Sequence, residues 1–247
     1  MLYRDGQALL VAFLQPLIFV LAFRLFDLRI VLGEALGLSD GGTGGPGAVG
    51  YFEFVLPGLL AMGIMNFALF SVAVALTAFR DQQVLARISV SPLSPAALLA
   101  GQLASRSVLA LAQVAVVLAA GFLLGLRYGA AALWLFPLAL PASLIFLNLG
   151  SVLAGWSRSA TAATGLANLI ALPLIFLSGV FVPVSALPGR LPEVVALLPL
   201  APLVDLMRAA VLGTQPTDPL AAWLVLSAWL VATTVAAGLS FRRLLRR

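Results

Sequence analysis

The 247-residue chain has no cysteine and no histidine, and it has no lysine either, because all 14 of its basic residues are arginine. Without cysteine and histidine, disulfide bonds, thiolate or imidazole metal sites and catalytic Ser-His or Cys-His pairs are excluded. Without lysine the chain cannot form a P-loop, because the lysine of that motif reaches the nucleotide phosphates. We therefore expect no nucleotide-hydrolysing site of this kind here.

Charge is also scarce, since 9% of the residues are charged and 62% are hydrophobic. Soluble domains have roughly 25% charged and 45–50% apolar residues. The composition therefore predicts an integral membrane protein, and the net charge of +5 is attributed to membrane orientation rather than to nucleic acid. Apolar blocks of about 20 residues indicate an all-α bundle, because a membrane barrel has short alternating segments instead.

Six apolar segments are long enough to cross a membrane. They cover approximately residues 7–26, 54–79, 107–126, 131–154, 160–180 and 219–241. With the N-terminus inside, the inner segments hold most of the arginines and only Asp5 and Asp81 as acids, whereas acids outnumber arginines outside. Because basic residues stay on the cytoplasmic side, we expect both termini in the cytoplasm and the protein in the cytoplasmic (inner) membrane.

Residues 181–213, "FVPVSALPGRLPEVVALLPLAPLVDLMRAAVLG", are too apolar for a solvent loop and too rich in proline for one straight span. Gly179 and Pro183 are predicted to end the fifth span, and the helices that follow have only two or three turns, too few to cross. A re-entrant helical hairpin on the outer side explains this pattern, and two amphipathic helices lying flat at the interface are the alternative.

This outer segment is a candidate gate. Phe181 is its predicted plug, and Glu193 and Arg208 are charges in a costly environment. Arg208 either ties the hairpin to a span or pairs with Asp205 on one helix face, at i, i+3 spacing. The full set of candidate gate residues is Gly179, Phe181, Pro183, Glu193 and Arg208.

Polar side chains inside predicted spans need hydrogen-bond partners in hydrocarbon. They are Asn66, Gln113, Asn148 and Asn168. Hydrogen bonds between helices and contact with a transported molecule both remain open for them. Arg106 is expected to anchor to lipid headgroups or to pair with Asp81, and Gly121 with Gly125 forms a GxxxG pattern typical of close helix packing.

Three segments together resemble the permease subunits of ABC-2 type exporters. They are "YFEFVLPGLLAMGIMNFALFSVAVAL" at the second span, "FRDQQVLARISVSPLSPAALLAGQL" after it, and "FLSGVFVPVSALPGRLPEVVALLPLAPLVDLMRAAVLG" before the last span. The resemblance covers nearly the whole chain. Members usually carry an amphipathic helix before the first span, whereas only "MLYRDGQ" precedes it here, so that helix is expected to be much reduced or the start to be misassigned.

The resemblance implies a type V exporter fold in which two copies of a six-helix permease, embedded in membrane lipids, pair with two ATP-binding subunits. ATP and magnesium would bind to those subunits, and this chain would hold no cofactor. In the family the loop after the second span is a coupling helix that docks on the ATPase, here within residues 80–95. The matching residues are Arg80, Asp81, Gln82, Gln83 and Arg87. The alternative is that these charges only set topology.

Spans two and five line the path in the family. The resemblance therefore implies path residues Asn66, Phe67, Phe70, Asn168 and Phe176, with Phe181 beside them. Such an aromatic, weakly polar lining suits an amphipathic drug, lipid or glycan-type cargo, whereas helix packing or lipid contact is the alternative for the phenylalanines.

Two other classes of function fit the sequence less well. An ion-coupled secondary transporter would show acids inside its spans or a repeat between its halves, and neither is found. A membrane enzyme would need a histidine partner for a serine nucleophile or clustered aspartates for a metal, and both are missing. The ABC-2 permease is therefore the leading interpretation and the secondary transporter is the alternative.

Overall fold

The computed structural model describes residues 6–25, 51–81 and 95–245, and every regular element in these ranges is helical. Two 3-10 helices cover Ala130–Trp134 and Val184–Ala186. The α-helices are α1 (Gly6–Leu25), α2 (Tyr51–Asp81), α3 (Pro95–Leu123), α4 (Leu135–Trp156), α5 (Ala160–Leu177), α6 (Leu191–Ala196), α7 (Leu200–Leu212) and α8 (Pro219–Leu245).

Five described helical segments are long and apolar enough to cross a membrane. They are Phe52–Arg80, Ala100–Leu123, Ala130–Trp156, Ala160–Leu177 and Pro219–Ser240. They correspond to five of the six predicted spans. The remaining one, residues 7–26, forms the 20-residue helix α1, of which Phe13–Phe23 qualifies as a shorter apolar helix. The sixth crossing therefore stays a prediction.

One predicted boundary was wrong. Helix α3 begins at Pro95 rather than near Ser107, because the intervening residues are mostly alanine and leucine, which favour a helix. Helix α5 ends at Leu177, close to the predicted end of the fifth span, and Gly179 follows with a φ of 77° that a helix cannot continue through. Arg80 and Asp81 belong to the last turn of α2, and residues 82–94 lie outside the described residues.

Helix α2 lies at the centre of the bundle, packed against α1, α3, α4, α5 and α7. Its contact with α4 is especially close, because a Cβ atom at Gly150 would lie 2.5 Å from the backbone oxygen of Leu69. Helix α8 packs on the other side of α4, where a Cβ atom at Gly155 would lie 2.9 Å from the Cβ of Ser240. Small residues thus bring three helices into a row, which suits a membrane bundle.

The bundle has two distinguishable ends. At one end, called the Arg208 end, α2 begins, α5 finishes and α7 packs against both, together with the 3-10 helix Ala130–Trp134. At the other, called the Arg80 end, α2 and α4 finish and α5 begins. Residues 181–213 therefore lie on the Arg208 end of the protein.

Candidate functional site

At the Arg208 end one guanidinium joins three parts of the chain. Nε of Arg208 donates to the backbone oxygen of Phe54 at 3.1 Å, and Nη2 donates to the backbone oxygen of Gly179 at 2.7 Å. The guanidinium carbon also lies 3.7 Å from the centre of the Phe54 ring, a cation–π geometry. Arg208 therefore fastens α7 to the start of α2 and to the turn after α5.

Arg208 remains a cation in this position. Burial lowers its pKa to about 10, and the nearby Asp205 acts in the opposite direction, so the side chain is protonated at neutral pH. The Asp205 carboxylate accepts hydrogen bonds from the backbone nitrogen and the hydroxyl of Thr217, at 2.9 and 3.2 Å. The Asp205–Arg208 ion pair is not formed, although both residues belong to the described part of the chain.

The turn after α5 reaches α2 directly. A Cβ atom at Gly58 would lie 2.8 Å from the backbone oxygen of Val180, so only glycine fits at this crossing. Pro183 precedes the 3-10 helix Val184–Ala186, and Glu193 is exposed in the first turn of α6. Of the five candidate gate residues, Gly179 and Arg208 are in direct contact, whereas Glu193 lies on the surface. A gating role for them stays a prediction.

Three phenylalanines meet beside this turn. The Phe181 ring stacks on Phe23 of α1 with centroids 5.7 Å apart and planes at 18°. Phe176 of α5 is 6.4 Å from Phe181 and remains 71% exposed. The structure thus brings together Phe176 and Phe181 and adds Phe23, which the sequence did not single out because nothing distinguishes it from its apolar neighbours.

The candidate path residues lie on two helices. Asn66, Phe67 and Phe70 are half-buried on α2, and Asn168 is exposed on α5. Helix α5 turns the stripe Ala163, Ala167, Ala171 and Leu174 to the core, so Asn168 and Phe176 are on its uncovered side. These residues do not enclose a channel within the described part of a single chain.

At the Arg80 end a second arginine binds backbone carbonyls. Nη1 of Arg80 donates to the oxygen of Ser157 and Nη2 to the oxygen of Arg158, both at 2.7 Å. These carbonyls lie between α4 and α5, where Ser159 caps α5 by accepting from the Ala162 nitrogen at 3.1 Å. Arg80 therefore holds the α4–α5 turn, a contact that the sequence did not reveal. Gln82, Gln83 and Arg87 lie outside the described residues, as does the Asp81 side chain.

A family model described as "ABC-2 type transporter" matches residues 1–212. The chain belongs to the ABC-2 type transporter family. As such it is a multi-pass membrane protein and a transport permease, and permeases of this family work with ATP-binding subunits.

Curated relatives agree with this assignment. The chain is 30% identical over 196 residues to Nodulation protein J of Rhizobium leguminosarum bv. viciae, covering 78% of this chain and 71% of the relative. It is 29% identical over 191 residues to Nodulation protein J of Neorhizobium galegae, covering 76% and 71%. It is also 29% identical over 194 residues to Nodulation protein J of Rhizobium meliloti (strain 1021), covering 77% and 70%.

Several polar groups of this ABC-2 permease connect its helices. Asn148 on α4 donates from Nδ2 to the Thr234 hydroxyl on α8 at 2.9 Å, one of the two roles left open for it. Arg106 on α3 donates from Nε to the Ser71 hydroxyl on α2 at 3.1 Å and also contacts Gln102, bonds that the sequence did not predict. These side chains join neighbouring spans.

The GxxxG interpretation of Gly121 and Gly125 was wrong for Gly125. Gly121 makes room for the hydroxyl of Tyr128, which follows α3 in the chain, and Gly125 has a φ of 99° in the turn between them. Burial raises the pKa of Tyr128 to about 12. Its buried hydroxyl has no hydrogen-bond partner among the described residues. Gly125 therefore serves a turn, whereas Gly121 also lies against α2, because a Cβ atom there would be 3.0 Å from Cδ1 of Leu56.

Proposed function

We propose that two copies of this permease form the export path for an amphipathic drug, lipid or glycan-type cargo, powered by two separate ATP-binding subunits. Those subunits bind the ATP and magnesium. The family match carries the transport part of the proposal. A lysine-free chain supports the separate site of ATP hydrolysis, because a P-loop cannot be built from it.

The uncovered side of α5 supports the second copy and the path. Asn168 is exposed on a helix long and apolar enough to cross the membrane. An amide facing lipid lacks hydrogen-bond partners, so a second protein surface or a hydrated path is its expected neighbour. Phe176 lies two turns further along the same helix and is also exposed. We infer that this side of α5 faces the cargo path between the copies.

The proposed ATPase contact is the segment that follows α2 on the cytoplasmic side, with Asp81, Gln82, Gln83 and Arg87, whereas Arg80 binds the α4–α5 turn of its own chain. The distribution of arginine along the sequence supports this orientation. The Arg208 end then faces outside, and Gly179, Phe181, Pro183, Glu193 and Arg208 form the proposed outer gate.

Residues 181–213 are proposed to form a re-entrant hairpin. The Trp229 indole of α8 donates to the backbone oxygen of Leu197 between α6 and α7, at 2.8 Å. Trp229 lies near the middle of the apolar stretch Pro219–Ser240, about 15 Å from Pro219 at 1.5 Å per residue. A junction at that depth supports the hairpin, since helices lying flat at the interface would meet α8 near its start.

The hairpin is tested with one spin label in this cysteine-free chain. A Leu197→Cys variant carries a label at an exposed position of the hairpin, and Thr214→Cys is the control in the loop before α8. In liposomes without nucleotide we expect dissolved oxygen to relax the Leu197 label more than a water-soluble nickel complex does. The nickel complex should relax the Thr214 label more than oxygen does. A Leu197 label that matches the control would favour flat interfacial helices.

The function is tested by purifying the tagged permease in mild detergent from its native membrane. We expect a P-loop protein to co-purify, and the complex in liposomes to move a fluorescent lipid analogue or a lipid-linked oligosaccharide only with ATP and magnesium. Asn168→Ala and Phe176→Ala should lower this flux, whereas the neighbouring exposed Leu169→Ala should not. Transport by the permease alone, down an ion gradient, would instead establish a secondary transporter.

A further inference from the structure

Arg80 does not extend from the bundle as a docking residue would. Both of its terminal nitrogens donate to carbonyls of its own chain, Ser157 and Arg158, at 2.7 Å each. Ser157 is 2% exposed and Arg158 is exposed, so the guanidinium lies at the edge of the packed end of the bundle, with one of its two bonds partly buried. Carbonyls at a helix C-terminus carry partial negative charge, which favours a guanidinium there.

The position of Arg80 along the chain determines which segments this contact joins. It is the penultimate residue of α2, one residue away from the segment 82–94. The carbonyls it binds lie in the α4–α5 turn, where Ser157 directly follows α4 and Arg158 comes two residues before α5 begins. One planar group bonded to two successive carbonyls restrains both of them, which a single ammonium group does less well.

The same two helices are joined at the opposite end of the bundle. Arg208 binds the carbonyls of Phe54, in the first turns of α2, and Gly179, directly after α5. Helices α2 and α5 are therefore connected through arginine–carbonyl bonds at both ends, and they pack together between those ends.

We propose that Arg80 is a positioning residue that locks the start of α5 to the end of α2, so that a displacement of the segment 82–94 moves both helices as one unit. The proposal rests on the ATP-driven export function, in which that segment contacts the ATPase. Arg80 acts here through α5 and not through contact with the ATPase, which distinguishes it from Gln83 or Arg87. Opening of the path would then occur at the uncovered side of α5 and not between α2 and α5.

The test uses Arg80→Gln, with Arg158→Gln as the matched control. Arg158→Gln also removes one positive charge at this end, but the Arg158 side chain is exposed and only its backbone oxygen binds Arg80. Spin labels at Val74→Cys on α2 and Thr161→Cys on α5, both exposed positions, report the distance between the helices. Labelled permease is diluted with unlabelled copies in lipid nanodiscs, and the distance distribution is measured by pulsed electron resonance.

We expect one narrow distance distribution in the parent and in Arg158→Gln, and a clearly broader one in Arg80→Gln. In the complex, Arg80→Gln should keep the ATPase bound and hydrolysing ATP. It should lower the amount transported per ATP by roughly tenfold or more, because both charge-assisted hydrogen bonds to the α4–α5 turn are lost. Arg158→Gln should keep the parent ratio.

Three results would overturn the proposal. The first is an unchanged distance distribution in Arg80→Gln, and the second is an equal effect of Arg158→Gln. The third is loss of the ATPase from Arg80→Gln while the distance between the helices is unchanged. That third result would make Arg80 a docking residue. If no ATPase co-purifies even with the parent permease, the export function fails instead. The distance measurement on the permease alone still decides whether Arg80 joins α2 to α5.

Discussion

Glycine at position 150 determines how closely α4 approaches α2. Its hydrogen faces the backbone oxygen of Leu69, and a methyl group there would lie 2.5 Å from that oxygen. Backbone atoms inside a packed helix cannot move aside as a side chain can. The contact therefore depends on one missing carbon atom.

We expect Gly150→Ala to lower stability by about 2 kcal/mol, the usual cost of overpacking, despite the better helix propensity of alanine. The control is Gly238→Ala in α8, where nothing lies within 4 Å of the new methyl group. It should gain up to about 1 kcal/mol from helix propensity. Thermal unfolding in detergent, followed by loss of the monodisperse peak, measures both. A Gly150→Ala variant as stable as Gly238→Ala would contradict the close contact.

At Tyr128 we expect the opposite effect, because removing its hydroxyl should raise the stability of the protein. Its hydroxyl is buried against Gly121 without a hydrogen-bond partner among the described residues. Tyr128→Phe should raise stability by about 1 kcal/mol, because the desolvation cost of the hydroxyl disappears. Gly121→Ala alone should destabilise by displacing the hydroxyl, and adding Tyr128→Phe should recover part of that loss. Additive effects in this double-mutant cycle would show that the two residues do not touch.

At the scale of the elements, the Arg208 side chain connects α7 to the start of α2 and to the turn after α5, two parts of the chain that are distant from α7 in sequence. Arg208→Gln removes both carbonyl bonds and the cation–π contact with Phe54. We expect it to cost about 3 kcal/mol, because the hydrogen bonds are charge-assisted and the carbonyls lose their donor. Thermal unfolding in detergent measures this loss.

Arg190→Gln is the control for Arg208→Gln. It removes the same charge from an exposed position earlier in the same segment. It should unfold like the parent, because a solvent-exposed charge contributes little to stability. If both variants lost the same stability, the total charge of the outer segment and not the bonds of Arg208 would be responsible. Arg208→Lys should remain below the parent, since an ammonium group cannot reproduce the planar geometry.

At the scale of the whole molecule, the fold separates two sets of loops. The loop before α8 lies at the Arg208 end with α7, and the α4–α5 turn lies at the Arg80 end. A protein without cysteine allows each end to be labelled by itself. In intact cells we expect a membrane-impermeant maleimide to label Thr214→Cys, and to label Thr161→Cys only after permeabilisation. The reverse pattern would invert the proposed orientation, and equal labelling of both would contradict the separation of the two ends.

The sequence by itself determined the membrane class, five of the apolar helices and the family, because hydrophobic length and local motifs are properties of contiguous residues. It also indicated that residues 181–213 break into short helices, since the prolines and Gly179 act locally. Only the tertiary structure decided the partners of the charged and small residues. Arg80, Arg106 and Arg208 bind groups 29 to 154 positions away in sequence, and Gly121 accommodates the hydroxyl of Tyr128. Such pairings depend on how the helices cross, and helix crossing is set by the packing of the whole bundle.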